Sequence, residues 1–201
     1  MRKAILPTIC ILLCTLCICF IPTEAEASIY GDTVRLHILA PSDSTEDQHI
    51  KLLVRDMILE NYAELFSAAK TSREAAEKIS RAIPSIKSDC ERLILNTGYT
   101  YSVKAELAEE WFNTREYADF SLPSGNYLSL TVTLGEGAGQ NWWCVMYPPL
   151  CLDTSLGQSA DHYSGSELRL ITGGGYRIKF KLLEVTSAIF ENQNKKLSEK
   201  G

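Results

Sequence analysis

The hydrophobic period of this chain changes from helical spacing to alternation near residue 100, and this change constrains the fold most. Apolar residues recur at helical spacing between residues 50 and 93, as in amphipathic helices. From Tyr101 onwards apolar and polar residues alternate, as in strands that bury one face. An alternating segment, Thr33–Ala40, also precedes the helical region. Strands and helices segregated along a chain favour the α+β class.

Two helices are predicted in the region of helical spacing. The first follows Ser44, a good N-cap with acidic residues after it, and runs to about Phe66. The second begins at the capping box Thr71–Glu74 and ends at Gly98. Pro84 lies inside the second helix and is expected to kink or split it.

Alternation predicts four strands after the helices: Tyr101–Leu107, Leu128–Leu134, Trp142–Tyr147 and Tyr176–Leu183. If the glycine-rich segment Gly135–Gly139 closes a hairpin, the strands on either side of it are antiparallel neighbours. The element order predicts a single α+β domain, with a mainly antiparallel sheet and two N-terminal helices on one side.

The remaining segments are assigned by composition. Trp111–Pro123 is rich in aromatic residues and is expected to pack against the domain, whereas Leu152–Gly175 is polar and is expected to be a long exposed loop. Glu184–Asn192 can form a closing helix, and residues 193–201 are predicted to be a disordered tail.

The first 27 residues have the three parts of a secretory signal peptide. Arg2-Lys3 is basic, Ala4–Ile21 is an uncharged apolar run, and Ala25-Glu26-Ala27 is a cleavage site with small residues where the peptidase needs them. The alternative is an uncleaved anchor, since the run is near the lower limit of about 17–25 residues for a membrane span. The predicted organisation is a signal peptide at 1–27, an exported domain at 28–192 and the tail.

Charge and cysteine content narrow the class of protein. The net charge is −5 with no basic run, which disfavours nucleic acid and anionic lipid as partners. Export would place the cysteines in an oxidising compartment. Cys144 and Cys151 flank Pro148-Pro149, so we predict a small-loop disulfide between them, with two buried thiols as the alternative. Cys90 lies in a helical pattern and is expected to be a buried apolar residue.

No sequence motif assigns a cofactor or a metal. The glycines of Gly135–Gly139 precede a predicted strand rather than a helix, which argues against a phosphate-binding loop. His37, His49 and His162 are the only histidines, and each is expected to be a surface residue. No pair of histidines or cysteines has zinc-ligand spacing.

An exported hydrolase of wall polymers or peptides is the enzymatic alternative, because two carboxylates can provide general acid and base. A nucleophilic role for Cys144 is less favoured, since it lies in an apolar strand without a histidine nearby in sequence. The available carboxylates are Glu106, Glu109, Glu110, Asp119 and Glu136.

Adjacent tryptophans, Trp142 and Trp143, provide a candidate contact surface. Neighbouring residues of a strand point to opposite faces, so one indole can enter the core while the other faces solvent or a partner. An exposed tryptophan flanked by tyrosine and proline is typical of an interface hot spot; burial of both rings is the alternative. The predicted partner-binding residues are Asn141, Trp142, Trp143, Tyr147 and Glu136.

Four blocks of the sequence are distinctive: Arg35–Gln48, Lys51–Asp56, Leu122–Tyr127 and Gly135–Cys151. Together they resemble one family, stage II sporulation protein R, and the likeness covers roughly Val34 to Cys151. The departures are Pro41, where the family often has Asn, and Asn113, where it often has Pro after Phe, and both lie in predicted loops.

The resemblance implies an intercellular signal of endospore-forming bacteria, with no catalytic activity and no small-molecule substrate. Such a protein is made in the forespore and exported into the space between the forespore and mother-cell membranes. There it would activate a membrane aspartic protease, stage II sporulation protein GA, which processes the sigma-E precursor.

Overall fold

The described part of the chain forms four α-helices and six β-strands. The computed structural model describes residues 10, 13–14, 22–117, 120–150 and 157–173. The helices are α1 (Glu24–Asp32), α2 (Thr45–Ser67), α3 (Ser72–Asn96) and α4 (Gly165–Thr172), with a 3-10 helix at Gly157–His162. The strands are β1 (Val34–Leu39), β2 (Val103–Phe112), β3 (Arg115–Glu116), β4 (Ser121–Leu122), β5 (Gly125–Leu134) and β6 (Asn141–Tyr147).

The main sheet has the strand order β2-β5-β1-β6. The β2–β5 and β1–β6 pairs are antiparallel, while the β1–β5 pair is parallel. The conditional prediction of a hairpin between β5 and β6 is therefore wrong, because β1 lies between them. The glycine segment instead crosses the end of β1, where Gly139 N–H donates to the Ala40 carbonyl at 2.9 Å. The α+β class and the mainly antiparallel sheet are confirmed.

One face of the sheet is covered by α2 and α3. Leu36 and Ile38 of β1 pack against residues such as Ile58 of α2 and Ile79 of α3, and all four are completely buried. We call this side the helix-covered face. Its side chains are almost all apolar, so burial drives the docking of the two helices.

The helix boundaries follow the predicted caps. Ser44 and Thr71 accept hydrogen bonds from the backbone N–H groups of Asp47 and Glu74. Pro84 does not split α3, which is continuous from Ser72 to Asn96. Pro84 is exposed, and buried residues both before and after it pack on the same core, so this burial outweighs the local disruption by the proline.

The opposite face of the sheet is partly covered by α1, α4 and the connection between β2 and β5. We call the described part of that connection, residues 113–117 and 120–122, the strap. Phe120 and Leu122 are buried, which confirms a packed connection. The predicted exposed loop at Leu152–Gly175 is wrong where it is described, because it contains the 3-10 helix and α4, whose Leu170 and Ile171 are buried.

The N-terminal helix α1 spans the predicted cleavage position after Ala27. Thr23 and Glu26 form a capping box at its start, and Glu26 and Ile29 are completely buried. The signal peptide stays a prediction. Several other predictions lie outside the described residues: most of the apolar run 4–21, Asp119, Cys151, the strand 176–183, the helix 184–192 and the tail 193–201.

Candidate functional site

A hydrogen-bonded junction joins the glycine segment to the turn between β1 and α2. The N–H of Gln140 donates to the Asp43 carboxylate at 2.7 Å. The buried Lys51 ammonium donates to the Gln140 carbonyl at 3.0 Å, and burial lowers the pKa of Lys51. Two segments far apart in sequence are thereby fixed to each other at one end of the sheet. We call residues 40–51 and 135–141 the loop junction.

The turn between β1 and α2, which forms one half of the loop junction, is fixed by hydrogen bonds of its own. The Ser42 hydroxyl donates to the Asp47 carboxylate at 2.6 Å, and the Gln48 side-chain amide donates to the Ser42 carbonyl at 2.9 Å. Asp47 is itself buried. These groups explain why Ser42, Asp47 and Gln48 occur together in the sequence block that resembles the family.

Glycine is required at the point of closest approach in the loop junction. A Cβ on Gly139 would lie 2.1 Å from the Ser42 carbonyl oxygen, well inside van der Waals contact. Gly137 has a φ of +63°, which is strained for residues with a Cβ. The glycines therefore serve backbone packing, in agreement with the rejection of a phosphate-binding loop.

The two tryptophans that follow the junction lie on opposite faces of the sheet. Trp142 packs with the helix-covered face, and the guanidinium of Arg55 lies 4.4 Å from its ring centroid. Trp143 is on the other face, with Arg115 at 5.1 Å from its ring centroid. Both indoles are half-buried. The structure therefore matches neither one buried and one exposed ring nor two fully buried rings. Each ring keeps an exposed portion beside an arginine.

His37 is buried beneath Trp143, so the prediction that His37 is a surface residue is wrong. The two rings are stacked with centroids 3.7 Å apart, and His37 is 3% exposed. Its Nδ1 lies 2.8 Å from a Glu110 carboxylate oxygen, and the Thr131 hydroxyl donates to the same carboxylate at 3.0 Å. The rings of Trp143 and Phe112 cover His37 on this face of β1. His49 and His162 are exposed as predicted.

Arg35, two residues before His37 on the same face, is completely buried. Its guanidinium carbon lies 4.1 Å from the Phe112 ring centroid and 5.1 Å from that of Tyr127. Nη2 donates to the Tyr117 hydroxyl at 3.1 Å, while Nε and Nη1 have no hydrogen-bond partner in the part of the chain that the structure describes. Desolvation lowers the pKa of Arg35. Sequence alternation placed Arg35 on the polar side of β1 but gave no sign of its burial; the aromatic residues of the strap were the one available signal.

The predicted site residues do not all lie at this end of the sheet, because Asn141 and Tyr147 pair with opposite ends of β1. Asn141 and Glu136 are exposed at the loop junction, while Tyr147 is 4% exposed and its hydroxyl lies 3.2 Å from His162 Nδ1. Cys144 is disulfide-bonded, and its predicted partner Cys151 lies outside the described residues. The partner-binding role of these residues stays a prediction.

The carboxylates of the enzymatic alternative are not gathered into one described site. Glu106 lies on β2 opposite Thr131 and forms an ion pair with Lys104 at 2.9 Å. Glu136 lies in the loop junction, beyond the Val103–Leu134 pair that ends the register, and Asp119 is outside the described residues. Within the described ranges, no group of three or more potential metal ligands occurs, and no helix combines the length and apolarity needed to cross a membrane.

The fold and site define a small α+β domain that fixes two loops and an aromatic strand at one end of its sheet. The chain belongs to the stage II sporulation protein R family, whose family model matches residues 31–156. It is 34% identical over 140 residues to "Stage II sporulation protein R" of Bacillus subtilis (strain 168). That match covers 69% of this chain but only 62% of the relative. No solved structure matches the chain.

Both halves of the loop junction, together with Trp142 and Trp143, fall within the residues that the family model matches. The blocks that carried the resemblance in the sequence, near Ser42 and near Gly139, contact each other directly in the fold. Two of the four blocks that carry the family resemblance therefore meet in one structural unit.

Proposed function

We propose that this protein is an exported intercellular signal of sporulation that activates a membrane aspartic protease, stage II sporulation protein GA. The protease would then process the sigma-E precursor in the mother cell. The signal would act in the space between the forespore and mother-cell membranes, as a binding protein without catalytic activity. Membership of the family supports a role in sporulation; the partner, the compartment and the mechanism are the proposal.

The observation that carries this proposal is the rigidity of the loop junction. Asp43, Lys51 and the close packing at Gly139 fix the backbone that leads into Asn141. A surface held in one conformation before binding loses little conformational entropy when a partner binds. The exposed Asn141 and Glu136, with the exposed edge of one of the two indoles, form a surface suited to recognition by a protein.

Activation follows if this surface binds the active state of the protease better than its inactive state. A ligand shifts such an equilibrium only by its difference in affinity for the two states. Raising the active fraction from 1:99 to 99:1 needs a preference of about 10⁴-fold. Under this proposal the protease alone cleaves the peptide bond of the sigma-E precursor.

The test is to express the full chain in a cell that also contains the protease and the sigma-E precursor but no other forespore protein. We expect precursor cleavage only when all three are present and the chain is exported. Export without cleavage would refute the proposal, as would cleavage that persists when the protease is omitted.

Variants of the contact surface test where the protease binds. Asn141→Ala should reduce precursor cleavage without changing export or stability, because Asn141 is exposed. Trp142→Ala or Trp143→Ala should abolish cleavage, with thermal unfolding measured to separate lost contact from lost fold. Leu95→Ala is the control, since Leu95 is 64% exposed at the end of α3. If Asn141→Ala and both folded tryptophan variants signal normally, the contact surface lies elsewhere.

A further inference from the structure

We propose that the sheet face beneath the strap is a binding site for a carboxylate group, supplied by an acidic side chain of a partner protein. Arg35 would be the main ligand of the carboxylate, with Arg115 and Ser129 beside it. The inference concerns a different surface from the loop junction and does not depend on which partner the loop junction binds.

Arg35 has no counter-ion among the described residues. The side chain is completely buried, and the groups that act on it electrostatically are three tyrosines and one arginine, Arg115. A buried charge without a counter-ion is strongly unfavourable. The aromatic rings of Phe112 and Tyr127 offset only part of that cost through cation–π contacts. A carboxylate placed beside the guanidinium would supply the missing counter-charge.

The sheet face beneath the strap also has buried hydrogen-bond donors without acceptors among the described residues. Arg35 Nε and Nη1, Arg115 Nε and Ser129 Oγ are buried atoms without a partner. Arg35 and Ser129 are direct neighbours across the parallel β1–β5 pair. The carboxylate of Glu110 already accepts from His37 and Thr131. His37 Nε2, on the same face, is also buried without a partner among the described residues. The unmatched guanidinium groups can only donate, so the ligand that fits them is an acceptor.

The position of Arg35 on the sheet suggests how a ligand reaches it. Ser129 lies opposite Ala108 of β2, and Ala108 is exposed. The site therefore borders the uncovered half of this face. Its cover, the strap, is held by strands of only two residues each, and Tyr117 of the strap bonds to Arg35 directly. Movement of Tyr117 would free the guanidinium nitrogen that its hydroxyl now contacts.

The chemistry favours one carboxylate at the end of a side chain. A carboxylate is planar and accepts parallel N–H bonds from a guanidinium, which makes such pairs strong and directional. Its single charge matches the one fully buried cation. Because Arg35 is completely buried, a ligand reaches it only when its cover moves, and the larger contact area of a protein partner can offset that cost better than a small acid can. An aspartate or glutamate side chain of a partner protein meets these requirements.

The test measures thermal unfolding of the full chain in sodium acetate against sodium chloride at matched ionic strength. Acetate is expected to raise the Tm of the wild type by roughly 2–4 °C over chloride. Arg35→Met should lose this difference, whereas Arg81→Met should keep it, because Arg81 is an exposed arginine of α3. Equal acetate effects in the wild type and Arg35→Met would overturn the proposal. Should Arg35→Met not fold, Arg115→Gln is tested in its place.

Two further arms identify the source of the carboxylate. A blocked glutamate tripeptide should give the same rise in Tm at lower concentration than acetate. If acetate acts equally well, the ligand is a free small acid, and the assignment to a partner protein is overturned.

Asp119, two residues after Tyr117 in the sequence, is an acid of this chain that could serve as the counter-ion instead. If acetate stabilises Asp119→Asn but not the wild type, the counter-ion is internal and the proposal is wrong. No protease is present, so the outcome is independent of the proposed function.

Discussion

The two faces of the main sheet are built from the same strands but from opposite kinds of side chain. On the helix-covered face, β1 contributes Leu36 and Ile38, which pack under α2 and α3. On the other face, the alternate residues Arg35 and His37 lie among aromatic rings and one carboxylate. The first face is a source of stability. The second keeps buried polar groups that a well-packed apolar core would replace, which indicates selection for a purpose other than stability.

The largest expected effect is on the helix-covered face. Ile58→Ala should lower the free energy of unfolding by about 3 kcal/mol, because a completely buried side chain is removed and a cavity is left. Urea denaturation measures the change. Leu95→Ala, at an exposed position, should stay within about 0.5 kcal/mol of the wild type. A loss at Ile58 no larger than that of the control would show that this face is not the main core.

The next largest effect is expected in the loop junction. Gly139→Ala places a methyl group against the Ser42 carbonyl and should cost about 1–3 kcal/mol of unfolding free energy. The matched control is Gly31→Ala in α1, where a Cβ meets nothing within 4 Å. That variant should be stabilised by about 0.5–1 kcal/mol. Similar effects of the two changes would mean that the junction is not tightly packed.

A smaller effect is expected from the polar network of the second face. Glu110→Gln keeps the shape of the side chain but removes the charge that His37 Nδ1 and the Thr131 hydroxyl contact. The free energy of unfolding should fall by about 1–2 kcal/mol at neutral pH, as for a hydrogen bond to a charged group. Thr131→Val and the double variant complete a mutant cycle. Strictly additive effects would contradict the shared network.

The smallest effect concerns alkaline pH and compares one tyrosine from each face. Burial raises the pKa of Tyr62, packed on the helix-covered face, to about 12, with a further contribution from its hydrogen bond to Asp89. Burial likewise raises the pKa of Tyr163, on the other face, to about 12. The unfolded value is about 10, so the folded state favours the neutral phenol.

The stability that these phenols contribute is fully present below about pH 10 and is lost as the pH rises through about 12. Tyr62→Phe and Tyr163→Phe should therefore each flatten the alkaline decline of the unfolding free energy. Urea denaturation at a series of alkaline pH values measures the slope. A decline as steep in both variants as in the wild type would assign it to other groups.

The helix-covered face could be read from the sequence because it follows local rules. The caps at Ser44 and Thr71 and the apolar spacing of α2 and α3 fix those helices through neighbouring residues. The strand order could not be read in this way. It depends on β1 entering between β5 and β6, a pairing between segments about 100 residues apart, for which alternation gives no signal.

The second face was misread for the same reason. Arg35 and His37 alternate with apolar residues, and alternation normally means that the polar side faces water. Their burial follows from the aromatic side chains of neighbouring strands and of the strap, which pack over them only in the folded structure. The loop junction was partly foreseen, since Ser42 and Gly139 lie in blocks that resemble the family. Their contact with each other was visible only in three dimensions.

Purified components test whether this protein acts by binding the protease and not by catalysis of its own. Membranes that contain the protease and the sigma-E precursor are treated with increasing amounts of the full chain, and precursor cleavage is measured. We expect cleavage of the precursor to require both the full chain and the protease and to reach a plateau as more of the chain is added. Cleavage should disappear when the catalytic aspartate of the protease is replaced. Cleavage by the chain without active protease, or none with all three components, would contradict it.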